Sequence, residues 1–220
     1  MFERRHFIGA ALGSVLLPGL AIAQTPSSAA TRSGQLGLGS VPLAPSSAAA
    51  RLNGLGPENE SLTHYAGLWD VTETVWDKPG AAPVTTAGLV AERRMIGQYL
   101  QEFIRPASDP FGSDIQRIDY LSFHRVEGRW KYVSIEMRAP VGIMPAHSFD
   151  RGDDKGIVLV HEPFALPGGG SQVTGPMLRM DTVVTREGPD NDVKNQHFIL
   201  PDGTGTAWLA HRYAYTRRSA

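Results

Sequence analysis

Two glutamates and two histidines are the residues of this 220-residue chain best suited to moving protons: Glu73, Glu136, His161 and His197. A carboxyl group buried among apolar neighbours has a raised pKa and serves as a general acid or base, with a histidine as its partner. That chemistry would suit an isomerase, lyase or hydrolase acting on small lipophilic substrates. With Tyr99 and Tyr120, these four form the polar set expected to face an interior. Other chemistry is sparse. His64, His124, His147, His161, His197 and His211 are scattered, with no two at i, i+2 on a strand or i, i+4 on a helix. Spacing therefore gives no metal set and calls for no cofactor. A single histidine suffices to hold a haem iron, which keeps a haem-binding barrel as an alternative. The chain has no cysteine, so thiolate ligands, disulfides and cysteine nucleophiles are excluded. No Gly-x-Ser-x-Gly elbow, phosphate loop or zinc-protease helix occurs. Gly168-Gly169-Gly170-Ser171 is followed by no helical pattern and reads as a flexible loop, suited to act as a lid.

These side chains need a frame, and from Glu58 onward the sequence offers many short strands. Asn59 to Tyr65 suits a short helical turn ended before Gly67. Strands are then expected at 68–76, 84–94, 97–104, 115–125, 129–138, 146–149, 156–161, 178–186, 192–200 and 206–216. Turn clusters such as Asp77-Lys78-Pro79-Gly80 and Pro201-Asp202-Gly203 separate them. The fold class is all-β: an antiparallel meander barrel of about eight to ten strands, with short connections favouring neighbour-to-neighbour pairing. Alternation places Trp69, Val71 and Val75 on one face with Glu73 as the polar exception, and Leu178, Met180, Thr182 and Val184 together on another. In 192–200 the two parities are equally mixed, and a one-residue slip would exchange them.

The opening Gly67-Leu68-Trp69-Asp70-Val71-Thr72 resembles the Gly-x-Trp start of the calycins, the lipocalin-like barrels. From about Leu62 to Arg218 the chain resembles the family of domains of unknown function numbered 1579. The likeness runs through Arg94-Met95-Ile96-Gly97-Gln98-Tyr99-Leu100-Gln101-Glu102-Phe103, Lys131-Tyr132-Val133-Ser134 and Tyr213-Ala214-Tyr215-Thr216-Arg217-Arg218. The chain departs from that family at Ser122-Phe123-His124, where members usually carry Gly-Tyr-Asp. It departs again at Glu136-Met137-Arg138, where they tend to have Trp-x-Asp. The resemblance implies a closed antiparallel barrel and no established activity. It also implies that Trp69 closes one end, with Arg212 or Arg217 of the last strand lying across it. Such a cation–π contact is worth about 0.5–2 kcal/mol.

The first segment of the chain carries an address. Residues 1–23 read as an export signal, with Arg4 and Arg5 before an apolar stretch and Ala21-Ile22-Ala23 as the cleavage site. Arg4-Arg5 followed by His6-Phe7 is similar to a twin-arginine signal, a general secretory signal being the alternative. The expected destination is the periplasm. Residues 24–57 are rich in Ser, Ala, Gly and Pro and read as a disordered linker, leaving 58–220 as the barrel. No run of 18 apolar residues occurs, so no permanent membrane span is expected. A net charge of −1 argues against nucleic acid as a partner. A closed barrel of about eight strands is either filled by side chains or holds one small ligand. Small residues expected inside, Val71, Ala87, Val90, Val133, Thr182 and Val184, leave room beside Met137 and Met180. The function expected from sequence is therefore an exported lipocalin-like barrel that binds a small apolar molecule. An enzyme using a buried Glu/His pair and a haem-binding barrel are the alternatives.

Overall fold

The alternating pattern after Gly67 resolves into eleven strands. They are β1 (Gly67–Val75), β2 (Val84–Ile96), β3 (Tyr99–Pro106), β4 (Arg117–His124), β5 (Arg129–Glu136) and β6 (Ile143–His147), then β7 (Gly156–His161), β8 (Phe164–Pro167), β9 (Thr174–Arg186), β10 (Asn191–Ile199) and β11 (Ala207–Arg217). Two short helices precede them, α1 (Ala48–Asn53) and α2 (Gly56–Ser61), followed by a 3₁₀ turn at Leu62–Tyr65. The computed structural model describes residues 47–153, 155–168 and 174–219. The export signal read at 1–23, the linker up to residue 46 and Gly169 to Ser171 of the glycine loop lie outside them. Among the described residues, no helix is long and apolar enough to cross a membrane.

Every strand pairs antiparallel with its neighbours, and the sheet closes on itself as a ten-strand meander barrel. Closure runs through β1 and β11, from Trp69 opposite Arg217 to Val75 opposite His211. Eleven strands make a ring of ten because β8 prolongs the line of β7. Both lie along the same side of the long β9, β7 opposite Asp181–Thr185 and β8 opposite its first half. The break falls at Glu162-Pro163, where proline has no N–H to give to a ladder. In the sequence β8 gives no strand signal, because its four residues follow Pro163, end on Pro167 and are too few to show alternation.

Pairing fixes which side chains point inward, since directly opposed residues share a face. Trp69, Ala91 and Ile104 form one such row, and Gly67, Arg93, Glu102, Asp119 and Ser134 another. The expected inward sets Trp69/Val71/Glu73/Val75 and Leu178/Met180/Thr182/Val184 agree with this register. On β5 the register places Tyr132, Ser134 and Glu136 inside. Val133 therefore faces outward and Met137, beyond the strand, is exposed. Ala87 is exposed, and Val90 shares the outer parity of Asp70 and Arg105. The expected inventory of small inward residues thus keeps Val71, Thr182 and Val184.

One end of the barrel is sealed by the helical segment. Asn59 is fully buried and behaves like a strand residue: Phe123 N donates to its Oδ1 at 2.7 Å, and its Nδ2 donates to Phe123 O at 3.1 Å. Leu62 packs beside it against Leu100, Leu121, Phe123, Trp130 and Leu159. Helical structure reaches back to Ala48, into the stretch read from composition as linker. Ser47 caps α1 by accepting from Ala50 N, and Arg125 donates to the carbonyls of Arg51 and Gly54 at its far end. Composition alone does not register such long-range contacts.

Candidate functional site

Trp69 lies at the sealed end, 1% exposed, its Nε1 donating to Tyr65 O at 2.9 Å. The Arg217 guanidinium sits 4.2 Å from its ring centroid and donates to the carbonyls of Ala66 and His64. A side chain at position 67 would meet Arg217 Nη1 at 3.0 Å, and the backbone there has φ +131°; both favour the glycine of the Gly-x-Trp pattern. Arg212 takes no part. It lies on the outer parity of β11 and reaches toward Glu187 instead.

Below Trp69 the lumen is crossed by a layer of ions. Arg93 holds Glu102 at 2.6 Å and Asp192 at 2.7 Å. Lys194 holds Glu102 at 2.9 Å and Asp119 at 2.6 Å, and Arg117 meets Asp119 at 3.0 Å. Ser134, Tyr132 and Tyr215 complete the network, Tyr132 accepting from Arg117 Nη2 at 2.9 Å. All six charged groups are buried and balance three against three. Burial alone disfavours every one of these charges. In Lys194 the Asp119 and Glu102 charges overturn that cost and hold the ammonium well above its ordinary range. The Tyr132 hydroxyl is pushed up by burial to about 12. With aromatic and leucine side chains above it, this half of the barrel retains a void of only about 40 Å³.

Beyond Arg117 the interior opens. A cavity of about 300 Å³ is walled by Val75, Met144, Phe164, Leu166, Met180 and Phe198. Its polar side is built by β1, β5 and β11, which bring together Glu73, Glu136, His211 and Tyr213. Arg138, just after β5, spans the opening as a crossbar. Its Nη1 donates to Glu73 Oε2 at 2.5 Å, while Nε and Nη2 donate to Glu136 at 2.9 and 3.0 Å. His211 Nδ1 lies 3.2 Å from Glu73 Oε1, and its ring stacks on Tyr213 with an interplanar angle of 6°. Burial pushes the Glu73 carboxyl up, but hydrogen bonds from His211, Arg138 and Tyr213 outweigh it and hold the group at about 2. Glu73 is thus a fixed anion and an orienting group, not a proton donor near neutrality. A second groove, of about 330 Å³, borders the sealed end, between the 3₁₀ turn and β7; Ser61, Asp153 and Arg186 give it a more polar wall.

The six candidate lumen residues divide. Glu73 and Glu136 line the cavity together. His161 faces the lumen and is 3% exposed, but it sits against Tyr132 and Thr182, away from the cavity wall. Burial, with the Arg117 charge second, holds its imidazole down at about 3, and its Nδ1 has no partner among the described residues. Tyr99 is 55% exposed on the outer face. Tyr120 is also on the outer parity, where Gln101 Nε2 donates to its hydroxyl at 2.5 Å. His197 is on the outer parity of β10, opposite Asp181. These three corrections share a cause: on strands where both parities carry polar residues, the choice of face is made by the neighbouring strand. His211, Arg138 and Tyr213 were missed as site residues. The available signal was the closing pair, which sets Tyr213 opposite Glu73 once β1 and β11 are joined.

No protein-family model matches the chain, and no curated protein matches it either. Among solved structures it is similar to the one titled crystal structure of Rv2717c from M. tuberculosis. The identity is 14%, over 74% of this chain and 99% of that chain, with a TM-score of 0.44. The similarity is too distant to bear on function. The reading therefore rests on the site itself.

Proposed function

We propose that the open half of the barrel is a container for one small, largely apolar molecule. The observation that carries this is the cavity of about 300 Å³, apolar on most of its wall and polar at one side. Small-molecule sites have that character: apolar surface supplies affinity, and a few fixed polar groups orient the ligand. An apolar cavity of about 150 Å³ takes a benzene, so this one suits a molecule of about twelve non-hydrogen atoms. The export signal read at 1–23 would place this container in the periplasm, and the resemblance to lipocalin-like barrels agrees with the reading. The test is native mass spectrometry of the protein purified from its own host, with the neutral fluorescent dye 1-naphthylamine titrated into the emptied protein. A copurifying small molecule or a saturable dye site, lost in Met180→Trp, is expected. No bound molecule and no saturable site would overturn the reading.

A second reading rests on His211. Glu73 engages its Nδ1, and its Nε2 has no partner among the described residues. A carboxylate-oriented imidazole is the arrangement of a general base and equally of a metal-ligating histidine. A single imidazole also matches the way haem iron is held, although the cavity present is smaller than a porphyrin and would have to widen. Haemin titration separates this reading from the first: an absorbance change abolished by His211→Ala would favour it, and an unchanged spectrum would remove the haem form.

A further inference from the structure

Charge is distributed unevenly between the two halves of the lumen. In the ion layer Arg93, Lys194 and Arg117 match Glu102, Asp119 and Asp192 one for one. At the cavity, Glu73 and Glu136 share a single fixed cation, Arg138, with only the His211 ring added. Every Arg138 nitrogen is already engaged: Nη1 with Glu73, Nε with Glu136, and Nη2 with both carboxylates and the Tyr213 hydroxyl. Arg117, the countervailing charge at the cavity floor, is held by Asp119, Ser134 and Tyr132. A ligand carboxylate entering here would meet two carboxylates and no unengaged guanidinium. A ligand ammonium would meet two carboxylates that share one fixed cation, beside the rings of Phe164, Phe198 and Tyr213, which also favour cations.

From this imbalance we infer that the molecule held in the cavity is a cationic amphiphile, an apolar body of cavity size carrying a protonated amine directed at Glu136 and Glu73. This rests on the container reading above and sharpens it. Electrostatic complementarity of this kind selects among ligands of equal apolar area, since the apolar wall treats them alike.

The experiment uses three probes with the same phenylbutyl body, 4-phenylbutylamine, 4-phenylbutanol and 4-phenylbutyrate, titrated calorimetrically into the full folded chain at pH 7.5. The amine is expected to bind at least tenfold more tightly than the alcohol, and the acid more weakly than both. In Glu136→Gln, which leaves Glu73 and Arg138 matched one to one, the amine-to-alcohol ratio is expected to fall to within threefold. Equal binding of amine and alcohol to the unaltered protein, or tightest binding of the acid, would overturn the inference while leaving the container standing. Failure of all three probes to bind would overturn both. The probe series needs no variant, so it stands even if Glu136→Gln folds poorly.

Discussion

On the sealed side of this barrel, six buried charges and a set of large aromatic side chains leave a void of about 40 Å³. On the open side, the same strands carry Val75, Met144, Met180 and Phe198 inward and leave about 300 Å³. The difference lies less in strand count than in what stands at each inward position. Arg93, Lys194 and Arg117 fill volume with long stems and neutralise three carboxylates at once, turning the centre of the lumen into a cross-braced floor. Above that floor the barrel is a core; below it the barrel is a cup. A closed barrel therefore need not be wholly plugged or wholly hollow.

The sharpest way to break this contrast is to remove one member of the floor. Lys194→Met leaves Glu102 and Asp119 buried with one cation fewer each, and a loss of about 3–5 kcal/mol is expected in urea unfolding. Glu136→Gln at the open end faces an Arg138 that is 33% exposed and should stay within about 1 kcal/mol. Comparable losses for the two would mean that the halves do not differ in kind.

Acidification probes the same boundary. The His161 imidazole is held at about 3 in the folded protein, whereas an unfolded histidine titrates near 6.5. Between those values the unfolded chain binds the extra proton, so the stability contribution is complete above about pH 6.5 and declines as pH falls toward 3. The expected slope is about 1.4 kcal/mol per pH unit. Glu73, held at about 2, adds its own loss below about pH 4.5, again because the folded value is the lower one. Chemical unfolding across pH 7 to 4 should show His161→Leu with a flatter dependence than the unaltered protein. An identical slope in the variant would place the acid sensitivity elsewhere.

Enlarging side chains gives the smallest and most discriminating effect. Ala91 is fully buried in the sealed half beside Trp69 and Ile104, and Ala91→Leu should cost about 1–3 kcal/mol through overpacking. Met144→Phe adds bulk at the cavity wall, where space is present, and should change stability by less than about 1 kcal/mol while weakening dye binding. Equal penalties at the two sites would remove the distinction between core and cup.

The barrel itself was legible in the sequence because turn clusters and period-two alternation recur in nearly every segment after Gly67. Glu73 stood out for the same reason, as the lone polar residue on an apolar face, whereas Gly67 and Trp69 stood out through the resemblance to the Gly-x-Trp opening. The ion layer was not legible. A single charge on an inward position reads as a solvent-facing residue, since burying it alone is costly. Its partners lie far away in sequence: Lys194 is 92 residues from Glu102 and 75 from Asp119. The pair Arg93-Arg94 shows the limit well. Alternation sends the two arginines to opposite faces, but only pairing with Glu102 and Asp192 shows that Arg93 is the buried one. Part of the cavity's polar side was missed for a related reason, because Arg138 reaches Glu73 across the mouth from the segment just after β5, which is not paired with β1.

The division into a filled half and an open half is tested most directly by crystallography under xenon pressure, because xenon occupies dry apolar cavities without needing a specific ligand. Xenon density bounded by Met144, Phe164, Met180 and Phe198, with none between Arg93 and Lys194, is the expected result. A crystal that takes up no xenon at the open end, or takes it up on the sealed side of the ion layer, would contradict the division and the container with it.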